Sequence, residues 1–126
     1  MKTPTLPSTT LQPRKYSGPS LAEVLAQRKQ FLNPGIFLYY KEPIMLVEGQ
    51  MQYVWDDQGK RYLDGLGGIV TVSVGHCHPH VIAAGNKQSE IYQHSTTIYL
   101  HPNVGAYAEK LASKMPGELK VCYFVN

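Results

Sequence analysis

The sequence predicts an α/β protein whose first part forms a small antiparallel sheet and whose later part begins a larger, helix-covered sheet. Residues 44–64 contain short apolar stretches separated by turn residues, and helical periodicity follows at about residues 80–94 and from Pro102 to Pro116. Residues 119–125 form a near-continuous apolar run. Such a run is typical of a strand that helices cover on both faces.

The first 19 residues are rich in proline and threonine, and we expect them to form a flexible leader. The first 22 residues contain no acidic residue, three basic residues and many hydroxyl groups. This is also the composition of an organelle transit peptide, although no amphipathic helix is evident. A disordered leader and a targeting signal therefore both stay open.

The first helix has a clear start and end in the sequence. Ser20 is followed three residues later by Glu23, which matches a capping box. Apolar residues at helical spacing then continue to about Phe31. The helix is predicted to end before Asn33-Pro34-Gly35, since proline and glycine interrupt helices.

Three short strands are predicted in the region that follows. Residues 44–47 and 51–55 are expected to pair around a turn at residues 48–50, and residues 61–64 form a return strand. Gly59 can adopt the positive φ that the second turn needs. An isolated hairpin is marginal in water, so this sheet must pack against something else.

Three glycines and an apolar, strand-like run, Ile69–Val74, come after Asp64. The glycine spacing matches neither the dinucleotide-binding nor the phosphate-loop pattern. We therefore interpret Gly65, Gly67 and Gly68 as positions where a neighbouring element approaches the backbone closely.

Three histidines and a cysteine lie within residues 76–80, and imidazole and thiolate groups are zinc ligands. Adjacent residues of an extended chain point to opposite faces, and no second cluster supplies the remaining ligands, so no metal site is predicted. Gly75 is instead expected to make a sharp bend. His76 or His78 would then hydrogen-bond the backbone, and Pro79 would lie in the first turn of the next helix.

Composition excludes several classes of function. The net charge of +3 comes from scattered lysines and arginines rather than a basic face, so nucleic acid is not a predicted partner. No segment approaches the roughly 18 apolar residues of a membrane span. The two cysteines have unlike surroundings and indicate reduced thiols rather than a disulfide scaffold.

Several segments together resemble the class III aminotransferases, the pyridoxal-phosphate (PLP) enzymes of the ornithine and 4-aminobutyrate type. Residues 52–64 are similar to the hairpin motif of that family. Residues 68–79, GIVTVSVGHCHP, are similar to its G-I-x-V-x-x-x-G-H-x-H-P segment. Residues 93–99, 107–111 and 120–126 continue the match in the same order.

The resemblance covers about residues 20–126 and implies the N-terminal portion of a fold-type I PLP transferase. Residues 20–101 would belong to the small domain, and residues 102–126 would begin the large PLP-binding domain. The family implies a homodimer with active sites at the subunit interface, acting on an amino acid and an oxo acid. The subgroup that the chain resembles most moves an amino group from alanine to glyoxylate in the mitochondrion; the alternative location is the cytoplasm.

By this resemblance, the phosphate cradle and the lysine that forms the Schiff base with PLP follow Asn126. No catalytic residue is therefore assigned within this chain, which we expect to be inactive alone. Ile69 and Val70 match the position that borders the substrate, where a small apolar side chain suits a short substrate. Tyr99 and Leu100 are expected at the active-site mouth or the dimer interface.

Four further residues match structural positions of the family motif and are assigned no catalytic role: Gly68, Gly75, His76 and Pro79.

Two other hypotheses about function stay open. The chain as given could be a non-catalytic, truncated module that pairs with full-length subunits through the surface around residues 65–100. A small metal-binding domain built on the histidines and cysteine of residues 76–80 is the third.

Overall fold

The computed structural model describes residues 5, 6 and 8–125 of the 126-residue chain. The expectations for residues 1–4, Pro7 and Asn126 lie outside the described residues. The chain divides into two compact units, residues 1–83 and 84–126. Its helices and strands are, in chain order, α1 (Leu21–Phe31), β1 (Leu46–Gln50), β2 (Tyr53–Asp56), β3 (Arg61–Leu63), the short helical turn α2 (Gly67–Val70), α3 (Pro79–Ser89) and α4 (Pro102–Ala112).

Helix α1 begins at the predicted capping box, which is confirmed. The Ser20 hydroxyl accepts a hydrogen bond from the Glu23 amide at 3.3 Å, and the Glu23 carboxylate accepts one from the Ser20 amide at 2.7 Å. Two backbone donors at the start of the helix are satisfied in this way. The helix ends at Phe31, just ahead of the predicted breaking residues.

The three strands form one antiparallel sheet in the order β1–β2–β3, which confirms the predicted sheet. The strand bounds differ from the prediction at the first connection. Strand β1 continues to Gln50, which pairs with Tyr53. The prediction of a turn at residues 48–50 is therefore wrong, because ladder pairing carries β1 through those residues and leaves only two residues for the turn.

The buried core of the described residues consists of three consecutive residues of β2. Tyr53, Val54 and Trp55 are 0%, 8% and 2% exposed. Side chains alternate between the two faces of a strand, so burial of three in a row means that both faces of the central strand are covered. The Arg61 guanidinium lies 4.7 Å from the centre of the Tyr53 ring and covers part of one face.

The turn between β2 and β3 is organised by Asp56. One carboxylate oxygen accepts hydrogen bonds from the amides of Gln58 at 3.0 Å and Lys60 at 2.9 Å, and the other accepts one from the Tyr62 hydroxyl at 2.8 Å. Burial acts to raise the pKa of Asp56, but these hydrogen bonds outweigh it and lower the pKa. Gly59 has φ of 78°, as the turn prediction requires.

Helix α3 begins at Pro79 in agreement with the prediction, but it ends at Ser89 rather than near residue 94. The Gln88 side chain donates to the carbonyl of Tyr92 at 2.8 Å, which satisfies a backbone acceptor just beyond the helix. None of the helices in the described part of the chain is long and apolar enough to cross a membrane.

Helix α4 begins at Pro102, as predicted, and His101 caps it. The His101 Nδ1 atom accepts a hydrogen bond from the amide of Asn103 at 3.2 Å. The imidazole also stacks on the ring of Tyr92, with ring centres 5.9 Å apart.

Residues 119–125 contact helix α4 but form no strand within the described part of the chain. The Cys122 thiol lies 3.5 Å from the carbonyl oxygen of Ala108, and the rings of Tyr107 and Phe124 stack at 5.2 Å. The predicted strand is absent because a strand requires hydrogen bonding to a neighbour, and none of the described strands pairs with this segment.

Candidate functional site

An open pocket of about 370 Å³ lies in the first unit, beside the turn that links β1 and β2. Its walls are the Met51 turn, the carboxylate of Asp64, the helical turn α2 and the Gly75-His76 bend. Apart from the Met51 turn, these walls belong to the segment whose glycine and histidine pattern was singled out in the sequence.

Asp64 and His76 form the polar centre of this pocket. The Nε2 atom of His76 lies 2.7 Å from Oδ2 of Asp64, and the two side chains are only 24% and 16% exposed. An ionised carboxylate can only accept, so Nε2 carries the proton. This hydrogen bond from His76, together with those from the amides of Leu66 and Gly67, lowers the pKa of Asp64.

The other carboxylate oxygen of Asp64 holds the start of α2. Asp64 Oδ1 accepts hydrogen bonds from the backbone amides of Leu66 and Gly67, each at 2.9 Å. These amides stand at the beginning of the helical turn, where no backbone acceptor precedes them. One carboxylate therefore links the histidine to the turn.

Helical turn α2 is left-handed. Gly67, Gly68, Ile69 and Val70 have φ values of 61°, 60°, 60° and 56°. The amide of Val70 donates to the carbonyl of Leu66 at 2.9 Å, which closes the turn. Glycine adopts this conformation freely, but for an L-residue it costs roughly 1–2 kcal/mol, and branched side chains such as those of Ile69 and Val70 fit it poorly.

The structure corrects the interpretation of the glycines. A Cβ atom placed on Gly65 or Gly67 would meet nothing within 4 Å, so close approach of a neighbour does not explain them. Gly67 and Gly68 instead have a positive φ, which favours glycine, and only at Gly68 would a Cβ atom meet a close neighbour, the Thr71 hydroxyl at 3.1 Å. Residues 69–74 are likewise not strand-like, because the left-handed turn occupies the start of that apolar run.

Ile69 and Val70, the expected substrate-bordering residues, are 75% and 79% exposed. Val70 lines the pocket beside Asp64 and His76, whereas Ile69 does not line it. Both side chains stand on one turn that the Asp64 carboxylate anchors. Gly68, in the same turn, occupies a position that requires positive φ.

Gly75 makes the predicted sharp bend, with φ of 104°. A Cβ atom there would lie 2.9 Å from the Cα of Met51, so two backbone segments meet at this point. The next residue, His76, exchanges two backbone hydrogen bonds with Met51, at 2.7 and 2.8 Å. Its ring bonds the Asp64 carboxylate, so of the two alternatives predicted for the histidines, the one in which the His76 side chain bonds the backbone is wrong.

The remaining groups of the histidine-rich segment do not converge. Cys77 is exposed, with φ of 51°. The Nδ1 atom of His78 is buried and has no hydrogen-bond partner among the described residues. Within the part of the chain that the structure describes, no three His, Cys, Asp or Glu side chains are placed to hold one metal ion.

Tyr99 and Leu100 lie in the second unit, in the segment that precedes α4. Tyr99 is 67% exposed and Leu100 is fully exposed. They line an open, mostly apolar depression of about 470 Å³ together with residues 95–97 and His101. Apolar side chains so free of contacts are typical of a surface that another element covers.

Sequence reasoning missed the link between Asp64 and His76. Asp64 was noted only as the end of a strand, and no sequence pattern pairs residues twelve positions apart in irregular structure. The signal for the left-handed turn was present in the Gly67-Gly68 pair, since two adjacent glycines permit consecutive residues with positive φ.

Comparison with known proteins places these features in one family. The model of the aminotransferase class-III family matches residues 39–126. The chain is 45% identical over 121 residues to the Arabidopsis thaliana protein named alanine–glyoxylate aminotransferase 2 homolog 2, mitochondrial, covering 96% of this chain and 25% of that protein.

Two solved structures share the fold. The (S)-enantioselective omega-transaminase of Thermomicrobium roseum superposes with a TM-score of 0.69 at 33% identity, over 82% of this chain and 25% of that one. A phospholyase from Arthrobacter, solved in complex with phosphoethanolamine, has a TM-score of 0.69 at 38% identity, over 78% of this chain and 22% of that one.

The chain belongs to the class-III aminotransferases, and its fold is the α/β N-terminal portion of a fold-type I PLP transferase. It spans about a quarter of the length of the curated relatives that it matches. Those relatives carry the name alanine–glyoxylate aminotransferase 2, so the expected family is confirmed.

Membership of this family implies the use of PLP. PLP requires a lysine for its Schiff base and donors or cations for its phosphate. None of the described residues that line the pocket is a lysine or an arginine, and its carboxylate would repel a phosphate. This pocket therefore does not fit the cofactor, and no step that involves PLP is assigned to its residues.

Proposed function

We propose that the full-length protein carrying this segment is a PLP-dependent transaminase that moves an amino group from alanine to glyoxylate, giving pyruvate and glycine. The observation that carries this proposal is the 45% identity, over 96% of the chain, to a protein named for that activity. The mitochondrial names of the relatives support a mitochondrial location. A homodimer is proposed on the resemblance to the family.

Within that enzyme, Ile69 and Val70 border the substrate. Two observations support this role. Both side chains are apolar, and both are largely exposed on a turn that the Asp64 carboxylate anchors. Small apolar side chains leave room for a short amino or oxo acid but offer little to a long polar one. Tyr99 and Leu100 complete the proposal as residues of the active-site mouth or the dimer interface.

The direct test is to incubate the purified full-length protein with PLP, alanine and glyoxylate and to measure pyruvate and glycine. Ile69→Tyr should lower kcat/KM for glyoxylate by at least about tenfold because the larger ring fills the space that the substrate needs. Ile69→Val is the matched control, since it keeps a small branched side chain and should retain activity.

The same preparation should be tested with phosphoethanolamine, because one structural neighbour is a phospholyase. Phosphate release from that compound, with no pyruvate formed from alanine, would contradict the proposed transaminase. Equal activity of the Ile69→Tyr variant and the unmodified enzyme would leave the transaminase in place but remove Ile69 from the substrate site.

A second candidate function concerns the 126-residue chain by itself. Without a Schiff-base lysine it would be inactive, and it would pair with full-length subunits through the surface around residues 65–100. The exposed apolar side chains of Ile98 and Leu100, 81% and 103% exposed, favour such pairing. Co-expression of the tagged short chain with the untagged full-length subunit should yield a mixed complex, and recovery of the short chain alone would contradict this candidate.

A further inference from the structure

The left-handed turn α2 needs an external constraint. Ile69 and Val70 are branched residues with φ near 60°, a conformation that persists only where the surrounding structure enforces it. Their own side chains do not supply the enforcement, since both are at least 75% exposed. The constraint must come from the residues that bond the backbone of the turn.

Asp64 supplies that constraint at the start of the turn. Its Oδ1 atom accepts hydrogen bonds from the backbone amides of Leu66 and Gly67, both at 2.9 Å. The two N–H groups at the start of the turn therefore share one acceptor. The hydroxyl of Thr71 bonds the carbonyl of Gly68 at 2.6 Å and closes the other end. These bonds on the N-terminal side of Ile69 and from Thr71 beyond Val70 favour the left-handed conformation of the two residues.

Asp64 is itself fixed by His76, and His76 is fixed by the sheet. The histidine donates from Nε2 to Asp64 Oδ2 at 2.7 Å, while its backbone exchanges two hydrogen bonds with Met51. Its ring lies against Gly49 of strand β1, where a Cβ atom would be only 2.8 Å from the ring carbon Cγ. The turn is thus connected to β1 through a continuous series of short contacts.

We propose that Asp64 and His76 are positioning residues that hold the left-handed turn against the sheet and thereby set which size of amino or oxo acid the enzyme accepts. Neither residue reacts with the substrate; they act through the placement of Ile69 and Val70. The proposal rests on the proposed function, because it assumes that these two side chains border the substrate.

The test uses the full-length holoenzyme with Asp64→Ala and the matched variant Asp64→Asn. Asparagine keeps an oxygen that can accept both amides, and its N–H group can bond Nε2 of His76 once the imidazole carries its proton on Nδ1, whereas alanine removes every bond. Hydrogen–deuterium exchange should accelerate in peptides covering residues 65–72 of Asp64→Ala. The peptide covering residues 53–63 should not change, and Asp64→Asn should restore most of the protection.

The second readout is selectivity. The ratio of kcat/KM for glyoxylate to that for the bulkier 2-oxobutyrate should fall about tenfold or more in Asp64→Ala and recover in Asp64→Asn. If Asp64 acts through Val70, the changes in this ratio from Asp64→Ala and Val70→Ala should not add in the double variant. A purely structural role would lower the two kcat/KM values equally and leave their ratio unchanged.

Unchanged exchange in residues 65–72 of Asp64→Ala would overturn the holding role. Faster exchange with an unchanged selectivity ratio, or fully additive effects with Val70→Ala, would overturn the specificity role. If the unmodified enzyme forms no pyruvate from alanine, the proposed function fails separately. The exchange experiment then still decides whether Asp64 holds the turn, and selectivity is measured between short and long forms of the oxo acid that the enzyme does use.

Discussion

Asp64 and His76 lie twelve residues apart in the sequence and 2.7 Å apart in the structure. The short hydrogen bond joins the end of the sheet to the bend that precedes α3. The same carboxylate bonds the first two amides of a left-handed turn. A single side chain therefore connects three pieces of backbone that the sequence separates.

The pKa of Asp64 gives this connection a pH dependence. The bond from His76, and then those from the amides of Leu66 and Gly67, depress the pKa in the folded state below its ordinary value of 3.8. A depressed carboxyl pKa contributes stability that is complete above the ordinary value and is lost as pH falls through the folded value. The thermal midpoint of the full-length protein should therefore decrease as pH is lowered from about 6 to about 3.

The Asp64→Asn variant isolates this contribution, since asparagine does not titrate in that range. We expect a smaller decrease in its midpoint over the same pH interval. Asp56, whose pKa is also lowered, continues to titrate in the variant and sets the remaining slope. Identical slopes in the two proteins would show that the Asp64 carboxylate contributes no acid-sensitive stability.

Substitution of Gly75 by alanine should destabilise the protein. The backbone at Gly75 has φ of 104°, and a Cβ atom would stand 2.9 Å from a backbone carbon of Met51, which cannot move aside as a side chain could. The conformation alone costs about 1–3 kcal/mol for a non-glycine residue. Gly65→Ala is the matched control, because its Cβ meets nothing and its φ is not positive.

Urea unfolding of the full-length protein measures both variants. Gly65→Ala should stay within about 0.5 kcal/mol of the unmodified protein, as expected for a surface change without a special backbone requirement. Equal losses at Gly65 and Gly75 would contradict the assignment of a close backbone contact at Gly75.

Gly49→Ala should destabilise the pocket through His76, although Gly49 itself does not line the pocket. Its Cβ would stand 2.8 Å from the His76 ring, so the ring must move and its bond to Asp64 must weaken. In a His76→Ala background the obstructing ring is absent, and Gly49→Ala should then cost less. Unfolding free energies of the two single variants and the double variant should show a coupling of about 1 kcal/mol. Strict additivity would mean that the two residues do not constrain each other.

The 126-residue chain alone should unfold without cooperativity. Its buried core among the described residues is limited to Tyr53, Val54 and Trp55, and many large apolar side chains are exposed. Trp55 is the single tryptophan, so its emission reports on the sheet, while circular dichroism reports mainly on the helices. We expect broad thermal transitions that differ between the two probes, and one sharp transition shared by both would contradict this expectation.

The sequence predicted correctly those elements that depend only on residues close together in the chain. The capping box at Ser20, the turn at Gly59 and the starts of α3 and α4 at Pro79 and Pro102 follow from residue types within a few positions. The family motif also located the segment that forms the pocket.

Features that depend on distant partners were not predictable from the sequence. The bond between His76 and Asp64 requires the backbone pairing of His76 with Met51, which no periodic pattern reveals. The strand predicted at residues 119–125 does not form because pairing, rather than apolar composition, defines a strand. The left-handed turn was missed because branched residues such as Ile69 argue locally against positive φ.

The paired residues of the sheet lie close together in the sequence, and this affects the order in which the protein folds. Every residue pair in both ladders is separated by at most ten positions, as in Leu46 with Asp56 and Tyr53 with Leu63. Contacts between near neighbours form fastest, and domains begin to fold while synthesis continues. We therefore expect the strand pairs of the sheet to begin forming on the ribosome once residue 63 has emerged. The pocket forms later, because it also needs His76.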